Sequence, residues 1–362
     1  MTGLYIHLPF CKKKCPYCSF CSIECSNKEA IDAYINAVIT ELKSEIKEQE
    51  VDTIYIGGGT PSIIPFNLFE YLLIHLQSLI NFSNIREFTV EVNPESTTED
   101  LIKLFRNYRV SRISMGVQSF DDEVLYFLGR IHSSHMVYNA IDNIMKYYNL
   151  DNISIDLMYD IPFVNSKKIF TSIKEAINLQ LTHISAYNFT FENNYLKPFF
   201  DNFNEQMSYV INCFENYGYE QYEISNFCKH NNVSRHNIKY WLIEEYLGIG
   251  ASSHSMFKKP LGRLRRENVK DVSSYIYNPF AARIIYNIDL NESLKEDIIF
   301  GLRCLRGIDI EKYSDIPSFE KIYYEINKLI DENLIYKKNN IICLTKKGIL
   351  LYDLVALRLW GC

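Results

Sequence analysis

Short β-branched and aromatic runs alternate with longer stretches of helical periodicity through the N-terminal half and more of this chain. Strand, helix, strand in repeated order closes only as crossover units, so the alternation calls for a parallel sheet covered by helices. About six units can be drawn. The strands fall at Leu4–Leu8, Thr53–Ile56, Glu87–Val92, Arg112–Val117, Ile153–Met158 and His183–Phe189, and the helices near 28–49, 65–80, 97–107, 134–148, 167–179 and 203–217. The unusual residues follow these strands. Five cysteines come within 25 residues, three of them as Cys11-x3-Cys15-x2-Cys18 after the first strand, and Gly57-Gly58-Gly59-Thr60-Pro61 closes the second. Glu91 and Asn93 end the third, Gln118 the fourth, Asp156 and Tyr159 the fifth, and Asn188 and Thr190 the sixth. In barrels and barrel-like α/β sheets the carboxyl ends of the strands form the active face, so these positions are expected to converge.

The remaining 145 residues read differently. A mixed stretch over 218–289 should extend the sheet or cover its open side. Residues 290–362 read as a separate small domain: two helices around a short one, the last of them near Ser318–Glu332, then strands at Leu334–Tyr336 and Ile341–Leu344 about a Lys337–Asn340 turn, then a final helix. That order is winged-helix-like. Three units follow: 1–217, 218–289 and 290–362.

At 47% hydrophobic and 23% charged, the 362-residue chain has ordinary globular composition, with no run near the ~18 apolar residues of a membrane span. The N-terminus lacks the basic and apolar regions of a secretory signal, so a cytoplasmic location is expected, with at most transient visits to a membrane. A formal net charge of −6 disfavours nucleic acid as a partner, and with it the reading of the winged helix as a transcription factor. Ten cysteines clustered at one end and scattered at the other are not a disulfide framework.

Three soft thiolates in one tight loop select an iron–sulfur cluster or zinc over harder ions. Zinc sites usually pair two Cys-x2-Cys units, and ferredoxins close their clusters with four cysteines. With three, one iron keeps open positions that the amino and carboxylate groups of an amino-acid ligand can fill. Cys21, two residues beyond Cys18 in the same spacing, could supply a fourth thiolate and close the set. Lys12, Lys13 and Lys14 form either a solvated charged loop or a docking point for an acidic electron donor. The glycine run lacks the endings of a phosphate loop or a dinucleotide fingerprint and reads as a backbone approached closely by a ligand. Glu91 and Asp156 suit ribose hydroxyls or an amino group, and Arg130 suits a carboxylate. Singly, each is also an ordinary ion pair, and Gln118 an ordinary buried amide.

Together, Tyr5-Ile-His7-Leu-Pro9-Phe10-Cys11-x3-Cys15-Pro-Tyr17-Cys18-Ser-Phe20, Gly57-Gly-Gly-Thr-Pro61, Gly116-Val-Gln118-Ser-Phe120, Leu128-Gly-Arg130-Ile-His132, Ile155-Asp156-Leu-Met-Tyr159-Asp-Ile-Pro162, Tyr222-Glu-Ile-Ser-Asn-Phe227 and Leu247-Gly-Ile-Gly250 resemble the HemN/HemW group of radical S-adenosylmethionine (SAM) proteins. That group comprises the oxygen-independent coproporphyrinogen III oxidases and their haem-chaperone relatives. The resemblance runs over nearly the whole chain. It implies an incomplete (β/α)6 barrel with a mixed α/β extension and a small winged-helix-like C-terminal domain. It further implies a [4Fe–4S] cluster on Cys11, Cys15 and Cys18, and SAM contacts from Tyr5, Gly58, Gly59, Thr60, Glu91, Gln118, Arg130 and Asp156. Thr190 and His254 match more loosely.

Cys18-Ser19-Phe20, where the oxidases have Cys-x-Cys, and a cluster motif that begins at residue 11 favour the chaperone branch. So does His236-Asn237-Ile238-Lys239-Tyr240-Trp241, which matches a His-Asn-x-x-Tyr-Trp signature of that branch and makes His236 a candidate haem ligand; without the resemblance it reads as a packing residue. Asp160 stands where the family more usually has glycine. The implied function is carriage of haem to haem proteins of the respiratory chain, with a reduced flavodoxin or ferredoxin-like electron donor. The alternative is the oxidase reaction, decarboxylation of coproporphyrinogen III to protoporphyrinogen IX.

Overall fold

The computed structural model describes residues 1–189 and 203–362. Six strands lie side by side in chain order, all parallel: β1 Thr2–Leu8, β2 Val51–Gly58, β3 Glu87–Val92, β4 Arg112–Gln118, β5 Ile153–Tyr159 and β6 His183–Asn188. Helices Lys28–Glu45, Phe66–Leu79, Glu99–Asn107, Ser134–Met145 and Ser166–Asn178 make the crossovers. Successive side chains of a strand point to opposite faces, and here the two faces differ in chemistry. Leu4, Ile6, Ile54, Ile56, Val90, Ile113, Met115, Ile155 and Leu157 are fully buried in the core. The alternate residues Tyr55, Thr89, Glu91, Arg112, Ser114, Ser154, Asp156 and Ser185 line a cavity on the concave face. The strand runs therefore read as apolar, yet every second residue is a polar group held for the interior.

The sheet does not close. Tyr246–Ile249 adds parallel to the free edge of β1 and continues antiparallel through His254–Lys259, Gly262–Glu267 and Ile284–Ile288, while Asn226–Cys228 and Glu220–Glu223 add antiparallel beyond β6. The result is a twelve-stranded open sheet with the parallel six as its arc. The segment after residue 218 thus extends both edges, crossing from one to the other through the helix Arg235–Trp241. Further elements go beyond the sequence reading, among them that helix, the helices Asp122–Phe127 and Val272–Tyr277, and the two-residue strands Phe10–Cys11, Ile23–Glu24 and Ile308–Asp309.

At the C-terminus, helices Leu290–Arg303 and Phe319–Asp331 pack with a three-stranded sheet, Ile308–Asp309, Ile341–Leu344 and Ile335–Lys338. The final helix is two, Lys346–Leu350 and Tyr352–Trp360, broken at Leu351. This unit docks where Cys304 bridges Glu223 and the Leu305 N–H donates to the Tyr222 carbonyl at 3.1 Å. Among the described residues no helix is long and apolar enough to cross a membrane.

Candidate functional site

The chain leaves β1 through Pro9 and pins the cysteine loop at both ends. Phe10–Cys11 pairs in parallel with Ile23–Glu24, the Ile23 N–H donates to the Pro9 carbonyl at 2.8 Å, and the Cys25 N–H to the Cys11 carbonyl at 3.1 Å. Inside, the Cys18 N–H closes a turn on the Cys15 carbonyl at 3.0 Å. Cys11, Cys15 and Cys18 line one cavity with the strand ends. Cys21 turns away, its Sγ donating to the Lys270 carbonyl at 3.6 Å, and Cys25 bonds the Asn27 carbonyl instead. Among the described residues no three His, Cys, Asp or Glu side chains gather as ligands of a single ion. Thiols that share a cavity without meeting at a point suit a cubane, whose irons sit at separate corners, better than one zinc with bonds of about 2.3 Å. Burial raises the Cys11 and Cys18 thiols, so their thiolate forms call for a bound cationic centre.

The glycine run holds the loop from below. The Gly59 N–H donates to the Leu8 carbonyl and the Thr60 N–H to the Phe10 carbonyl, both at 2.8 Å. A Cβ on Gly59 would lie 2.6 Å from the Phe10 carbonyl oxygen, and one on Gly58, whose φ is +122°, would lie 2.7 Å from the His7 ring. Glycine is therefore required first by close approach of the cysteine loop itself, and not only by a ligand. Thr60 Oγ1 donates to the Cys11 sulfur at 3.6 Å and accepts from Asn93 Nδ2 at 3.1 Å, tying the turn to the end of β3.

Two carboxyl groups face the cavity. Glu91 accepts from the Tyr55 hydroxyl at 2.7 Å and the Gly58 N–H at 3.1 Å, and burial pushes it up to about 7. Burial likewise pushes Asp156 up to about 6. Such groups exchange between acceptor and donor near neutrality, which suits ligand hydroxyl and amino groups. Arg130 Nη2 donates to Asn93 Oδ1 at 2.9 Å and the Gly116 carbonyl at 2.8 Å, while Nη1 lies 3.8 Å from the Cys15 sulfur. Gln118 has a left-handed φ of +68° and accepts from the Tyr187 hydroxyl at 3.1 Å. Asp160 at φ +53° occupies the backbone region where glycine is most at ease and aspartate is tolerated, so the departure from glycine leaves the turn intact.

Cys11, Cys15, Cys18, Gly58, Gly59, Thr60, Glu91, Gln118, Arg130 and Asp156 thus face one cavity. Of the other expected residues, three do not join them there and the fourth, Thr190, is not described. Tyr5 lies a layer below, its hydroxyl on His7 Nδ1 at 2.9 Å and its ring beside Tyr55. His254 opens a strand third from the sheet's edge and is exposed, 3.9 Å from Glu267. His236 is 1% exposed near the amino ends of β1 and β2, with Nδ1 on the Thr53 hydroxyl and Nε2 on the Tyr240 hydroxyl, each at 2.9 Å. Burial pushes its pKa down to about 3, so the ring is neutral, and both nitrogens are already spent.

Sequence reasoning placed Asn93 on this rim but missed Ser114 and Tyr187 as cavity walls, and the deeper Arg112, His183, Glu223 and Arg303. Their inward parity on the strands was the available signal for Arg112, Ser114, His183 and Tyr187.

An open parallel arc with a three-cysteine loop beyond its first strand defines a class, and the chain matches the Radical SAM superfamily over residues 5–175 and the HemN C-terminal domain over 288–351. The fold is that of the Escherichia coli coproporphyrinogen III oxidase HemN, described as a radical SAM enzyme: TM-score 0.82 at 19% identity, covering 99% of this chain and 89% of that one. Among curated proteins it is 33% identical to the heme chaperone HemW of Lactococcus lactis, over 96% of this chain and 94% of the relative. It is 32% identical to that of Bacillus subtilis, over 97% of each. The chain belongs to the HemW family of radical SAM proteins.

Proposed function

We propose that this chain carries haem and passes it to haem proteins of the respiratory chain, using a [4Fe–4S] cluster on Cys11, Cys15 and Cys18 and a SAM site beside it. The observation that carries the reading is the meeting of those three thiols with Gly58, Gly59, Thr60, Glu91, Gln118, Arg130 and Asp156 in one cavity, while Cys21 bonds elsewhere. The family relatives named as heme chaperones support the haem assignment.

A cluster and SAM bound there would supply one-electron reduction and, if SAM is cleaved, a carbon radical. The chain's own part is to bind and orient. Arg130 is fixed by Asn93 and Gly116 and presents its charge beside Cys15, where a ligand carboxylate would be held. Glu91 and Asp156 accept from hydroxyl or amino groups when ionised. Lys12, Lys13 and Lys14 are exposed on the loop, and their charge suits an acidic flavodoxin or ferredoxin-like donor. We place the work in the cytoplasm, with transient visits to the membrane to reach haem acceptors. His236 enters only on a condition: its Nε2 must first leave Tyr240.

The second reading, decarboxylation of coproporphyrinogen III, is favoured by a cavity of about 450 Å³ on the concave face that shares Cys18, Glu91 and Asp156 with the cysteine cavity and has room for a substrate. Anaerobic incubation of the reconstituted protein with SAM, reductant and coproporphyrinogen III separates the two. The chaperone reading expects no protoporphyrinogen IX and expects transfer of bound haem to an apo-haem protein. Product formation would replace it with the oxidase reading, and failure to bind haem would remove it.

A further inference from the structure

The deeper cavity holds a cation that no carboxylate contacts, although Glu91, Asp156 and Glu223 line the same chamber. Arg112 opens β4, is 5% exposed and points into the 450 Å³ chamber beside Ser114, Ser154 and His183. Its Nη2 has no hydrogen-bond partner, and among the described residues no carboxylate stands within ion-pairing distance of it. The chamber's other guanidinium differs: Arg303, from the C-terminal unit, lies 3.4 Å from Glu223 Oε2 and packs its plane 4.2 Å from the Trp241 ring centre. Two more buried polar atoms here, Asn226 Oδ1 and Trp241 Nε1, also lack partners. Aromatic side chains of Phe20, Tyr55, Tyr187 and Trp241 form much of the remaining wall.

A buried guanidinium without a contacting anion is costly, because its desolvation is repaid only in part, here by the Asp156 carboxyl across the chamber. A fold that keeps one, at a chamber large enough for a ligand, sacrifices stability at the position where binding needs it. From these groups we infer that the chamber is a carboxylate-binding site in which Arg112 receives one carboxylate of a ligand whose flat apolar body lies against the aromatic walls. The carboxylate pocket stands on the geometry alone. That the ligand is a tetrapyrrole, with a propionate on Arg112, rests on the proposed function above.

The test uses the full chain, anaerobically reconstituted, titrated with haem and with haem dimethyl ester and followed by visible absorbance. The wild type should prefer the free acid by about tenfold or more, the worth of one charge-assisted pair. Arg112→Gln should bind acid and ester alike, and Arg112→Lys should recover part of the preference. Arg112→Gln should also melt no lower than the wild type without ligand, since it removes a buried charge that has no contacting partner, whereas a merely structural arginine would lower the melting temperature when lost. Retention of the acid preference in Arg112→Gln overturns the inference. If the wild type binds neither haem form, the haem reading fails, and the pocket is read with benzoate by thermal shift. A rise in the wild type that Arg112→Gln loses supports the site, and equal or absent shifts overturn it.

Discussion

Glu91→Gln changes one atom of the cavity and has a consequence that reverses with pH. The Glu91 carboxyl is held at about 7 by burial, against an ordinary value of 4.5. A carboxyl raised in the fold costs stability when ionised: the penalty is complete above about pH 7 and fades as pH falls toward 4.5. The shift corresponds to roughly 3 kcal/mol at high pH, and water in the cavity screens it to about 2. Glutamine is neutral throughout but keeps only one good acceptor for the Tyr55 hydroxyl and the Gly58 N–H, a loss of about 1 kcal/mol. Glu91→Gln should therefore be more stable than wild type by about 1 kcal/mol near pH 8.5 and close to equal near pH 5.5. Urea unfolding of the cluster-free protein at the two pH values measures this directly. Asp156 titrates in both proteins and largely cancels from the difference. A variant less stable at the higher pH, or a difference that ignores pH, refutes the claim that this carboxyl is held neutral by the fold.

Two other substitutions follow from the same geometry. Gly59→Ala drives a Cβ against the Phe10 carbonyl, and because both partners are backbone the strain should be about 1–3 kcal/mol, with loss of cluster content after reconstitution, read by iron analysis; normal iron content would mean that the loop tolerates displacement. Tyr240→Phe frees Nε2 of His236, so if His236 ligates haem the affinity should rise about fivefold, the worth of one neutral hydrogen bond, and His236→Ala should lower it; unchanged haem titrations in both variants remove His236 from haem binding.

Much of the arc was legible because its strands are short runs with β-branched and aromatic residues buried at alternate positions, as at Glu87–Val92, where expected and observed bounds coincide. The strand-end residues were legible for the same reason: once β1 to β6 lie in order, Cys11, Gly58, Glu91, Gln118 and Asp156 share a rim. What stayed hidden was set by distance and parity. Nothing local in Tyr246–Ile249 says that it pairs with β1, some 240 residues earlier. Arg112 reads as a strand's polar first residue until its register with Thr89 turns it inward. His236 matched a motif, but that match carried no information about Thr53 and Tyr240 taking both ring nitrogens. Tyr5 likewise sits on the right strand one layer too deep to reach the cavity.

The account depends on three thiolates and no fourth. Iron content and electron paramagnetic resonance of the anaerobically reconstituted Cys21→Ser protein, with and without SAM, test it most directly. About four irons per chain and a reduced-cluster signal that changes when SAM is added are expected. Loss of the cluster in Cys21→Ser, or a wild-type signal indifferent to SAM, would contradict it.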